Sequence, residues 1–163
     1  MMFCGIDPGM SRAIAIIDEF GEIVSTCAKM PWANDRLDAR KVHIFLAKWA
    51  GDGLKVTIEK VAGYGMGAKS CFTFGRSVGG LFATLDILGV SILHPTPHMW
   101  QKVMLAGYPK GDTKEASRKA AYDLFPGLRD GRLNTKSSHN LSDAALIAEF
   151  GRRTTSEKIN HAE

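Results

Sequence analysis

Three short apolar bursts, FCGI, AIAII and IVSTCA, open the chain between Phe3 and Met30, separated by turn-forming residues at Pro8-Gly9 and at Asp18-Glu19-Phe20-Gly21. Short runs punctuated in this way predict a meander of three antiparallel strands, closed by Pro31. The period then changes. Leu37, Val42, Phe45, Leu46 and Trp49 recur at helical spacing ahead of Gly51 and Gly53, which predicts a helix capped by Asp35 and running through Trp49. The β-branched stretch Val56-Thr57-Ile58-Glu59-Lys60-Val61 reads as the next strand, and a strand, helix, strand order requires a crossover and parallel pairing. Beyond a glycine-rich segment, 62–75, a helix is predicted over Ser77 to Leu88 and a strand over Val90 to Leu93, stopped by Pro95 and Pro97. Two helices follow, His98 to Leu105 and DTKEASRKAAYDLF, the second capped by Asp112 or Thr113 and ended before Pro126. A last helix, LSDAALIAEFGRR, starts after Ser137-Ser138. The expectation is an α/β fold with a mixed five-stranded sheet, three antiparallel strands and then parallel ones, flanked by helices. One domain is expected over 1–153, with a polar tail from Thr154 to Glu163.

Length and composition agree with a single core: 163 residues, 45% of them hydrophobic. Cys4, Cys27 and Cys71 have no CxxC spacing and are odd in number, so neither a disulfide framework nor a zinc site is indicated and a reducing compartment fits. No stretch reaches the roughly 18 apolar residues of a membrane span, and Phe3 to Ile6 is too short for a signal peptide. A soluble, cytoplasmic protein is expected. The net charge of +4 means that any cluster of acids would be a local negative site within a positive surround.

Such a cluster is what the strands suggest. Asp7 ends an apolar strand just before a Pro-Gly turn, at the rim of the sheet, and Glu59 sits in a strand where alternation turns it toward the core. A lone buried carboxylate is costly, so two acids on two strands imply convergence on a shared cation. Asp143, opening the last apolar helix, is the third. The glycine-rich segment beside them carries Tyr64, Lys69 and Arg76. Tyr64 is a candidate for stacking on a base, whereas Phe72 and Phe74 read as core under the next helix. Trp100 also reads as core. Lys110, Lys114 and Arg118 crowd the start of a helix whose amides point outward, a place suited to phosphate.

The order of elements and the positions of the acids resemble the ribonuclease H-like fold, and within it the RuvC-type Holliday junction resolvases, in particular the shorter resolvase-like proteins of phages. The resemblance rests on GIDPGMSRA around Asp7, VTIEKV around Glu59, the glycine-rich segment with FTFGRSVGG, PTPHMWQKVM, TKEASRKAAYDLFP and HNLSDAALIAEFGRR, which occur in family order over nearly the whole chain. It implies a structure-specific endonuclease that hydrolyses DNA phosphodiesters with two Mg²⁺ ions, for which Mn²⁺ can substitute. Asp7 would bridge both ions, Glu59 would hold one and Asp143 the other. Two such cations, about 3.5 to 4 Å apart, activate a water and stabilise the leaving oxygen. Lys114 matches a basic residue set near the scissile phosphate. Lys60, Tyr64, Lys69, Arg76, Lys110, Lys114 and Arg118 are the DNA-binding candidates. The two-fold symmetry of a four-way junction implies a homodimer, with Ser77 to Leu88 as its interface. Recombination, repair or trimming of branched DNA in a bacterial or phage-infected cell would fit.

The chain departs from the family at the fourth ligand. Where the pattern has Asp, or sometimes His, three residues before the last acid, this chain has Asn140. The amide keeps a carbonyl oxygen but loses a negative charge. A weakened variant, a naturally inactive protein, or replacement by the neighbouring His139 would each account for it. A non-catalytic binder of branched DNA is therefore an alternative. An actin-like ATPase is another, though the second phosphate loop and second lobe of that group are not visible.

Overall fold

A computed structural model of the chain describes residues 1–8, 13–33, 36–63, 65–128 and 139–160; in the last stretch the side chains described are those of 140–156. The expected meander is present as β1 (Met2–Asp7), β2 (Ala13–Asp18) and β3 (Ile23–Cys27). Two parallel strands complete the sheet, β6 (Lys55–Ile58) and β7 (Ser91–Leu93), in the order β3-β2-β1-β6-β7. A small hairpin that the sequence reading did not anticipate, β4 (Trp32–Ala33) with β5 (Arg36–Leu37), separates the meander from the first helix. That hairpin delays the helix. Asp35, expected as its cap, lies outside the described residues; α1 (Ala39–Ala50) is capped by Asp38, whose carboxylate accepts from the Lys41 amide at 3.1 Å.

Strand alternation sorts the core into two layers. Cys4, Ile6, Ile14, Ile16, Val56 and Ile58 pack toward α1 and α2 (Ala68–Leu88). Phe3, Ala13, Ala15 and Ile17 pack toward α3 (Pro97–Met104), α4 (Thr113–Leu124) and α5 (His139–Asn160). Two glycines let α5 lie directly on the strands. A methyl at Gly5 of β1 would overlap the Ala144 carbonyl oxygen and the Ala148 amide, and one at Gly151 would overlap the Thr57 hydroxyl of β6.

Two helices extend beyond their expected ends. α2 begins at Ala68, not Ser77, because Gly63, Gly65 and Gly67 precede it and only Gly75 of the glycine-rich segment falls inside. Phe72 then lies on the outward face and is 71% exposed, not core, with the Arg76 guanidinium 5.9 Å from its ring centre; Phe74 is half-buried. α5 runs to Asn160, so the stretch read as a tail is helical that far. Its Thr154, Thr155 and Ser156 hydroxyls donate to the carbonyls of Phe150, Gly151 and Arg152 at 2.8, 2.9 and 3.1 Å, satisfying polar side chains without an apolar pattern. Among the described residues no helix is long and apolar enough to cross a membrane.

Candidate active site

The register places the first two acids side by side. β1 and β6 are parallel with Ile6 opposite Ile58, so the next residues, Asp7 and Glu59, leave adjacent strands on the same face, and the Glu59 amide continues the ladder to the Ile6 carbonyl at 3.2 Å. Neighbouring strands lie about 4.8 Å apart. Phe3, Gly5 and Asp7 alternate onto the α5 side, as do Thr57 and Glu59. α5 crosses that face at Gly5, bringing Asp143 in from above.

The electrostatics record the convergence. Burial pushes the Glu59 carboxyl above its ordinary value, the Trp100 indole opposes this by a hydrogen bond, and the charge of Asp7 adds to the rise. Asp143 is pushed from 3.8 up to about 7, mainly by burial and further by repulsion from Asp7 and Glu59, against which the Ser117 hydroxyl and the Lys114 ammonium act. Ser117, on α4, is 2% exposed, and its oxygen comes within reach of Asp143 without completing an aligned hydrogen bond. Asp7 is 9% exposed. Asn140 is half-buried in the first turn of α5, one turn before Asp143.

The sign of the Asp143 shift has a consequence for stability. Between the unfolded and folded values the folded chain holds a proton that the unfolded chain has lost, so stability falls as pH rises from about 4 to about 7, by up to roughly 4 kcal/mol. With chelator present, Asp143→Asn is expected to flatten that slope and to melt higher than the parent at pH 8. Thermal melts at pH 5 and pH 8 check this; parallel slopes for the two proteins would refute it.

The basic candidates divide. Lys114 lies in the first turn of α4 with its charge acting on Asp143. Lys60, Lys69, Arg76 and Lys110 are exposed. Arg118 is held on its own helix, with Nε at 3.1 Å and Nη2 at 2.7 Å from Glu115 and the guanidinium 5.7 Å from the Tyr122 ring centre. The amides at the start of α4 are not open to phosphate as expected, because the Asp112 carboxylate accepts from Lys114 and Glu115 at 3.0 and 3.2 Å. Phosphate affinity there falls to the lysine side chains. Tyr64 and the side chain of His139 lie outside the described residues.

The donor set fits a hard divalent cation: carboxylates from three elements and one amide carbonyl, with neither sulfur nor imidazole among those described. Among the described residues, no three His, Cys, Asp or Glu side chains stand within reach of a common ion as they are oriented here. Two contributors escaped the sequence reading. Trp100, read only as core, donates its indole N–H to Glu59 Oε1 at 2.8 Å, and Ser117 faces Asp143. A buried indole usually finds an acceptor, which was the available signal for the first; nothing in the sequence marks the second.

No protein-family model matches the chain, and no curated protein matches it by sequence. Solved structures do. RuvC of Thermus thermophilus superposes with a TM-score of 0.66 at 16% identity, over 95% of this chain and 97% of that one. The T. thermophilus RuvC in complex with a Holliday junction substrate gives 0.66 at 15% identity, over 94% and 96%. The yeast mitochondrial Holliday junction resolvase Ydc2 gives 0.53 at 11% identity, over 94% of this chain and 78% of that one. With its mixed sheet, meander and crossing α5, the chain therefore has the RuvC-type, ribonuclease H-like fold.

Proposed function

We propose that the chain is a structure-specific endonuclease that cuts four-way DNA junctions by paired, symmetric phosphodiester hydrolysis. The observation that carries this reading is the convergence of Asp7, Glu59 and Asp143 from β1, β6 and α5, close enough that Asp7 and Glu59 both raise Asp143. The similarity to a RuvC structure with a Holliday junction substrate supports a branched DNA as the ligand. Asp7, Glu59, Asp143 and the Asn140 carbonyl would hold Mg²⁺, with Mn²⁺ as a substitute, and the metal would supply an activated water and a clamp on the leaving oxygen. Lys114 stands beside the acids, where its ammonium offsets charge developing on the phosphate. Lys60, Lys69, Arg76 and Lys110 provide exposed positive charge for the duplex arms.

Two active sites are needed for paired cuts, which supports a homodimer. The outward side of α2 suits it: Gly79 and Gly80 have open space where a side chain would stand, and Ile87 is 77% exposed. A monomeric mass at micromolar concentration would count against this.

The test is cleavage of a synthetic four-way junction in Mg²⁺, with linear duplex as control. The chain should nick the junction and spare the duplex, and Asp7→Asn should cut at least about 100-fold more slowly, the scale of losing one preorganised charge-stabilising group. Junction affinity should fall linearly on a log-log plot against salt, and Lys69→Ala should lower that slope by about 1. Indifference to salt would defeat the DNA-binding reading. Tight junction binding with no nicking in Mg²⁺ or Mn²⁺, by this chain and by Asn140→Asp alike, would leave a non-catalytic junction binder of the same fold.

A further inference from the structure

We propose that Trp100 is a positioning residue for Glu59, its indole N–H holding one carboxylate oxygen and so fixing the orientation in which the acid meets a cation. The inference rests on the function proposed above. Trp100 is 1% exposed within the apolar cluster beneath α3 and α5, and its Nε1 is 2.8 Å from Glu59 Oε1, 41 residues earlier in the chain. The main chain around Glu59 is already tied, by its amide to Ile6 at 3.2 Å and by the Lys60 amide to the Pro95 carbonyl at 2.7 Å. The side-chain torsions remain, and the indole restrains them.

Burial alone does not impose such a bond in this fold. The indole nitrogen of Trp49 is also buried and has no acceptor among the described residues. The choice of donor matters as well. An indole N–H stabilises the ionised carboxylate, as a hydrogen bond to a charged acceptor does, yet carries no positive charge to compete with a metal ion. Lysine or arginine in its place would hold the acid and repel the cation together.

Two replacements separate the N–H from the packing. Trp100→Phe removes the donor and part of the ring; benzothienylalanine incorporated at position 100 keeps the bicyclic shape and lacks only the N–H. Mn²⁺ affinity is measured by titration calorimetry in the chain and in the Asn140→Asp form, with and without each replacement, and melting temperature is recorded alongside. Both replacements should weaken Mn²⁺ binding by about 10-fold or more, the range for groups that orient a metal ligand. The benzothienyl protein keeps the bicyclic packing and loses only the hydrogen bond, so it should melt above Trp100→Phe, and the result stands even where Trp100→Phe folds poorly. In ¹H–¹⁵N spectra, Mg²⁺ should move the Trp100 indole resonance upfield while those of Trp32 and Trp49 stay in place. Unchanged Mn²⁺ affinity in the benzothienyl protein, or a stationary Trp100 resonance while the cation binds, overturns the role of Trp100 and leaves the nuclease reading intact. Absence of Mn²⁺ binding in both the parent and Asn140→Asp overturns both.

Discussion

A methyl group added at position 5 is expected to cost about 3 kcal/mol, at the upper end of overpacking effects, and to lower cleavage together with stability. The atoms it meets are the Ala144 carbonyl oxygen and the Ala148 amide nitrogen, residues one helical turn apart in α5. Those are main-chain atoms in mid-helix, which have no rotamer into which to retreat. α5 must lift from β1 as a unit, and Asp143 travels with it. Gly5→Ala should therefore lower the melting temperature by about 10 °C, taking roughly 2 to 4 °C per kcal/mol for a domain of this size. Gly151→Ala should cost less, since a threonine side chain and not the backbone stands opposite. Thermal unfolding of the two variants decides the point. A Gly5→Ala protein as stable as the parent would show that α5 does not lie against β1 as described.

Asn140→Asp is expected to raise junction cleavage by about 100-fold and to lower the Mg²⁺ concentration needed for it, the reverse of removing one charge-stabilising group. Asn140 stands one turn before Asp143 on α5, so the new carboxylate would join acids whose charges add to the burial that raises Asp143 to about 7. More negative charge attracts a dication more strongly. The same charge destabilises the site without one, and the metal-free Asn140→Asp protein should melt below the parent at pH 8. Opposite shifts with chelator and with Mg²⁺ are the signature. If cleavage is unchanged while metal affinity rises, Asn140 is not what limits the reaction; if neither changes, position 140 does not face the cation.

Asp7, Glu59 and Asp143 could be singled out from sequence because each interrupts an apolar pattern at an element end, where a charged side chain is expensive unless it serves a purpose. Strand direction was legible for a related reason: short bursts and turns encode the meander, and the intervening helix enforces parallel pairing. Boundaries were less so. Asp38 caps α1 because a hairpin of two short strands precedes it, and Phe72 is exposed because α2 begins well before the apolar run that announced it. Local pattern carries no information about where glycines stop acting as loop and start acting as helix.

The sequence by itself determined the elements of the main sheet, their antiparallel and parallel directions and three candidate carboxylates, all of which follow from periodicity, turn chemistry and the cost of burying charge within a few residues of chain. Only the tertiary structure decided which neighbours those carboxylates would meet. Trp100 reaches Glu59 across 41 residues, Ser117 and Lys114 face Asp143 from another helix, and Gly5 admits α5 to the sheet. Each of these depends on the packing of elements distant in sequence, and the strength and orientation of a charged site are set by such contacts.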